Sequence, residues 1–113
     1  MKVIVPDMAH DSIDSLFEYL AIYSSENAIQ ITEKIYELIL NLGNMPYIGG
    51  FITELPDRHF RELLYRKARN SYRILYFISE ETDEVYIIHV SNCRQDFNRI
   101  IKLHNYFNNF LKF

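Results

Sequence analysis

Cysteine occurs once, at Cys93, and tryptophan not at all. A lone cysteine excludes an intrachain disulfide and leaves no CxxC pair for a metal or redox centre. That usage suits a reducing compartment, and a cytoplasmic location is the expectation. Glycine and proline are scarce as well, three of each. Their scarcity excludes a low-complexity or linker-rich chain, and no internal repeat interrupts the sequence. No apolar run approaches the ~20 residues of a membrane span. The opening MKVIVPDMAHDS is too poor in consecutive apolar residues for a signal peptide. His10, His59, His89 and His104 show no metal-ligand spacing, so neither a metal nor a cofactor is expected.

What is present is enough for one core. The 113 residues are 49% apolar, with nine tyrosines and eight phenylalanines, and read as a single domain over residues 1–113. The net charge of −3 hides a division. Residues 1–57 hold nine acids against Lys2 and Lys34, which gives −7, whereas residues 58–113 hold ten bases against six acids, which gives +4. Such asymmetry points to one face for an anionic partner, or to acids that merely solvate the outer faces of two helices.

Lys2–Val5 is a β-branched run stopped by Pro6 and reads as a strand. Ile13, Leu16, Phe17 and Leu20 then recur at helical spacing. The break Tyr23–Asn27 offers Ser24 or Ser25 as an N-cap. A second helix carries Ala28, Ile31, Ile35, Leu38 and Leu42 on one seam, with Gly43 in the C′ position and Pro46 barring continuation. Two amphipathic helices so closely joined predict an antiparallel hairpin. Residues 43–59 read as loop. Phe60–Arg66, Tyr72–Ser79 and Glu84–Ser91 read as three strands, joined by turns at Lys67–Ser71 and Glu80–Asp83, hence an antiparallel meander. Phe97, Ile100, Ile101, His104, Phe107 and Leu111 predict a C-terminal helix. Its apolar ending either closes the open face of the sheet or forms an interface. The order β-α-α-β-β-β-α, helices segregated from a meander, is α+β.

The densest run of cations is Arg61, Arg66, Lys67, Arg69 and Arg73, placed in and between two predicted strands. Cations fixed on rigid backbone usually face an anion, either nucleic-acid phosphate or the acidic segment of a protein. The plainer alternatives are an ion pair of Arg73 with Glu54, Glu62 or Asp96, and solvated charge at the hairpin turn. His89, in an apolar strand, reads as a core or edge residue, and Tyr76 and Tyr86 as residues packed on the sheet.

The line Pro46-x-x-Gly49, Glu54-Leu55, Phe60-Arg61-x-Leu63, Tyr72-Arg73-Ile74-x-Tyr76, His89-Val90 and Cys93-Arg94-x-Asp96 resembles the RelE/ParE toxin superfamily over nearly the whole chain. The resemblance implies an antiparallel sheet packed against a helical hairpin and a C-terminal helix. It implies a growth inhibitor of the plasmid-stabilisation kind, neutralised by a cognate antitoxin, as a homodimer or a toxin–antitoxin hetero-oligomer. It also implies one of two targets. RelE-like members are metal-free endoribonucleases that cut messenger RNA on the ribosome, and ParE-like members poison DNA gyrase.

Metal-free RNA cleavage needs cations on the phosphorane, a base for the 2′-OH and an acid for the leaving oxygen. By resemblance Arg73, Arg94 and Arg61 are the phosphate or target binders. The acid/base pair is not matched. Asp96 and Phe97 occupy positions where nuclease members carry His and Tyr. Phenylalanine transfers no proton, and an exposed aspartate, with a pKa of ~3.9, is a poor acid near neutrality. The acidic balance is also unlike a protein that must hold ribosomal RNA. Glu54, His59, His89 and Tyr72 stand as substitute acid or base. The expectation is therefore a ParE-like toxin, with the endoribonuclease and a non-toxic binding module of the same fold as alternatives.

Overall fold

The computed structural model describes residues 1–53, 55–93, 102 and 105. Its elements run β1 (Lys2–Ile4), α1 (Asp7–Ala21), α2 (Ser25–Asn41), β2 (Gly50–Phe51), β3 (Phe60–Lys67), β4 (Asn70–Ser79) and β5 (Glu84–Asn92). The C-terminal helix expected over Phe97–Leu111 falls outside the described residues, apart from Lys102 and Asn105, as do Arg94, Asp96 and Phe97. No helix among the described residues is long and apolar enough to cross a membrane.

The helices start where local chemistry dictates. Pro6 sits extended at the N-cap of α1, and its carbonyl accepts from the Ala9 and His10 N–H groups. Ser24 caps α2, its Oγ accepting from Asn27 N–H at 3.2 Å. Gly43 follows the end of α2 without a left-handed φ. Its glycine is demanded by proximity instead. A Cβ there would stand 2.8 Å from Met1 O, and the terminal ammonium donates to Gly43 O at 2.8 Å. The end of α2 and the start of β1 are thereby clamped together.

The sheet has the order β1-β5-β4-β3-β2. The meander β3-β4-β5 is antiparallel, as expected. β1 adds in parallel to β5, with Lys2, Val3 and Ile4 opposite Glu84, Val85 and Tyr86, so the sheet is mixed and not wholly antiparallel. β2 is a two-residue edge strand inside the stretch expected to be loop, Phe51 lying opposite Arg61. So short an element with two glycines before its phenylalanine carries no periodicity to read.

Both helices cover one face. Ala9, Ile13, Leu16 and Leu20 of α1 and Ala28, Ile31, Ile35 and Ile39 of α2 are buried against Tyr72, Ile74, Tyr76 and Ile78 of β4 and Val85, Ile87 and Val90 of β5. Each fully buried aliphatic side chain contributes about 1.5–3 kcal/mol. A bulge makes the β5 pattern fit. Leu75 pairs with His89 and Tyr76 with Ile87, so Ile88 is extra and both Ile87 and Val90 reach the helices. Ile88 joins Ile52, Leu55, Phe60 and Leu75 in a smaller cluster, where the segment before β3 folds over the second face.

Candidate functional site

The turn between β3 and β4 decides where the basic run points. Lys67 pairs with Asn70, so the turn is only Ala68–Arg69, and Ala68 takes a φ of 55° to close it. Side chains alternate along a strand. Arg61, Leu63, Tyr65 and Lys67 therefore share the helix-side face. Glu62, Leu64 and Arg66 share the other, and Arg73, opposite Leu64, shares it with them.

The five cations consequently do different work. Lys67 Nζ donates to Asn27 Oδ1 and Gln30 Oε1, both at 2.9 Å, and ties the hairpin to α2. Arg66 and Arg69 are exposed. Arg73 Nε lies 2.9 Å from Glu62 Oε2, and both side chains are about 15% exposed. The atoms are in ionic contact without the alignment of a linear hydrogen bond. Ser91 stands opposite Arg73 on β5. Cys93 is close enough to feel Arg73, Glu62 and Arg66, but burial dominates and pushes its thiol above the ordinary range. Of the three acids considered as partners of Arg73, Glu62 is in contact with it, and Glu54 and Asp96 lie outside the described residues.

Arg61 lies on the opposite face and at the sheet edge. Its guanidinium packs over Phe51, 4.6 Å from the ring centre, and over Tyr47 at 5.1 Å, and it donates to Gly49 O at 2.8 Å. Arg58 stacks on Phe51 as well, at 5.0 Å. The structure does not bring Arg61 and Arg73 together, and the two cannot hold one phosphate.

The Pro46-x-x-Gly49 spacing has a physical reason here. Tyr76 is fully buried, and its phenol donates to Pro46 O at 2.8 Å while accepting from Gly49 N–H at 2.9 Å. Burial raises the Tyr76 phenol above its ordinary value, which keeps the donor protonated. A Cβ at Gly49 would sit 2.5 Å from both Glu62 O and the Tyr76 hydroxyl. Pro46 and Gly49 are thus the two halves of a socket for one tyrosine. The alternation of Tyr76 correctly predicts packing on the sheet, but no periodicity announces what its hydroxyl holds.

Among the described residues, the substitute acid/base side chains do not gather around Arg73. His59 is level with Ile78, at the far end of β4, and contacts Asp57 at 3.1 Å. Tyr72 is buried on the helix side of the sheet, and burial raises its phenol. His89 is buried on β5 opposite Leu75. Glu54 lies outside the described residues. Among the described residues no cluster of three or more His, Cys, Asp or Glu side chains could hold a metal ion. A cleft of about 430 Å³ opens at the hairpin end, between the Tyr19 and Tyr23 rings of α1 and its loop and Arg69, Tyr72, Asn92 and Cys93.

Comparison with known proteins agrees with this architecture. The family model described as "ParE toxin of type II toxin-antitoxin system, parDE" matches residues 3–97. No curated protein matches. Among solved structures, one titled "Chromosomal ParDE TA system from P. aeruginosa" superimposes with a TM-score of 0.65 at 17% identity, covering 81% of this chain and 95% of that one. At that identity the likeness speaks for the fold.

Proposed function

The chain belongs to the ParE toxin family of type II toxin–antitoxin systems, and from that premise we propose that it inhibits growth by binding DNA gyrase and is neutralised by a cognate antitoxin. The observation that carries the choice of a binding mode over RNA cleavage is the division of the arginines. Arg73 is held by Glu62 on one face, and Arg61 is stacked between Phe51 and Tyr47 on the other. A phosphorane needs converging cations with an acid and a base in reach. Here the Glu62 carboxylate offsets the charge of Arg73, and by sequence Phe97 stands in place of the proton donor that cleavage requires. Arg61, Arg58 and their two aromatic partners suit a protein surface better than a reacting ribose, because aromatic and arginine side chains are the usual anchors of protein interfaces.

The test is induced expression in a bacterium, with plasmid supercoiling and ribosome toeprinting followed in the same cultures. Growth arrest, lost negative supercoiling and uncut messenger RNA are expected. Cleavage at the ribosomal A site with normal supercoiling would replace this reading with the endoribonuclease. Normal growth with soluble protein would replace it with a non-toxic binding module.

A further inference from the structure

The cleft at the hairpin end lies on the helix side of the sheet, away from the Arg73–Glu62 pair. Its volume of about 430 Å³ is within the range of small-molecule sites. Its floor is apolar, formed by the buried Leu16 and Leu20 of α1. Its rim is aromatic. Tyr19 and Tyr23 meet edge to face with ring centres 5.8 Å apart, and they are 54% and 77% exposed. Large rings left in water beside an apolar floor mark a binding surface. The decisive group is Tyr72. It lines the cleft and is only 2% exposed, yet its hydroxyl has no hydrogen-bond partner among the described residues. A buried phenol normally has one. Tyr76, on the same strand, shows the contrast, since its hydroxyl serves two backbone groups. Burial, together with the nearby phenols of Tyr65 and Tyr19, raises the Tyr72 phenol above its ordinary value. It therefore keeps its proton and offers a donor to an acceptor brought from outside.

The charge of the lining selects the ligand. Arg69 supplies a cation, and no carboxylate lines the cleft among the described residues. An anion is favoured, and guanidinium engages phosphate through paired hydrogen bonds. Asn27 gives its amide oxygen to Lys67 and keeps its NH₂ group, and Asn70 brings a second amide. Such amides match the donor and acceptor edges of a base, and a tyrosine ring stacks on any base. One lining cation suits one phosphate, whereas a strand needs a track of them.

We propose that the cleft between α1 and the β3–β4 hairpin binds a free mononucleotide, with its base stacked on the Tyr19–Tyr23 pair, its phosphate on Arg69, and one of its acceptor atoms on the Tyr72 hydroxyl. The site is independent of the gyrase reading, because neither Arg61 nor Phe51 belongs to it.

The ¹⁵N-labelled full chain is titrated with the 5′-monophosphates of adenosine, guanosine, cytidine and uridine, with the four nucleosides, and with inorganic phosphate. At least one monophosphate is expected to saturate with a Kd below about 1 mM, shifting the Asn27, Asn70 and Cys93 amides and quenching tyrosine fluorescence. Its nucleoside should bind about tenfold more weakly, and phosphate alone weaker still. Tyr72→Phe should weaken binding about five- to tenfold and leave the urea midpoint unchanged, because the hydroxyl serves no described protein group. A merely structural hydroxyl would do the reverse. If Tyr72→Phe fails to fold, Arg69→Ala decides the matter from an exposed turn position, and should bring the monophosphate down to the affinity of its nucleoside. Unshifted amides with every monophosphate at about 10 mM would overturn the proposal. So would a nucleoside as tight as its monophosphate, a folded Tyr72→Phe protein with the parent's affinity, or shifts centred on Gly50 and Phe51 instead of the cleft. A pentanucleotide more than about tenfold tighter than the monophosphate would overturn it as well, by assigning the surface to a strand.

Discussion

Replacing Tyr76 by phenylalanine deletes one oxygen and should cost far more than a surface hydroxyl would. The phenol satisfies two backbone groups at once, Pro46 O at 2.8 Å and Gly49 N–H at 2.9 Å. Leaving a buried polar group unsatisfied costs about 1–3 kcal/mol. The two groups do not count equally. Pro46 is half-exposed, so water can reach its carbonyl, while Gly49 is buried between the Glu62 carbonyl and the Tyr76 ring. The orphaned N–H dominates, and the total comes to about 2–3 kcal/mol. The ring still fills its place, so no cavity term adds. Urea denaturation followed by circular dichroism should show the midpoint fall by about 1–2 M with an unchanged slope. Tyr86→Phe is the control. Its hydroxyl donates to the carboxylate of Glu84 at 2.7 Å in a part-buried setting, and its loss should cost under about 1 kcal/mol. A Tyr76→Phe protein within about 0.5 kcal/mol of the parent would refute the socket argument, and with it the physical account of Pro46 and Gly49.

Three further outcomes are expected. Arg73→Ala should destabilise by about 2–3 kcal/mol, because it strands the Glu62 carboxylate in a mostly buried position, and adding Glu62→Gln should restore part of the loss in a double-mutant cycle; additive losses in urea melts would sink the pairing. Ala68→Gly should stabilise by about 0.5 kcal/mol, since relief of roughly 1–2 kcal/mol of left-handed strain exceeds the roughly 0.5–1 kcal/mol of added chain entropy; a lower melting temperature would contradict it. The Cys93 thiol, pushed up by burial, should react with iodoacetamide at pH 7 more slowly than in urea and accelerate as pH rises; equal native and denatured rates would show that burial does not control it.

Much of this molecule can be read from its residues. The apolar seams of both helices, the Ser24 cap and the three long strands follow from periodicity and turn chemistry, and the buried positions match closely. Leu38 is one exception. It is half-buried while its neighbour Ile39 takes the core position, the drift expected when a 3.6-residue helix is read as a heptad. The fate of the arginines is less legible for a specific reason. Taking Lys67–Ser71 as the turn erases the parity of β4 relative to β3. The true turn, Ala68–Arg69, sends Arg61 and Arg73 to opposite faces, and a shift of one residue in register reverses a side chain's face. Two features of the sheet are illegible for another reason. β2 is too short to carry a pattern, and the parallel placement of β1 is set by a partner some eighty residues away, which local sequence cannot announce.

That parallel placement has a consequence for the order of assembly. The α1–α2 hairpin ends at Asn41, but the strand that receives β1 and α1 runs from Glu84 to Asn92. At translation rates of about 5–20 residues per second, the 51 residues from Asn41 to Asn92 take roughly 3–10 s to emerge. For that interval the buried isoleucines of both helices have no sheet to cover them. The nascent chain therefore passes through a window in which it is adhesive but unfinished, and a partner made at the same time would meet it there first.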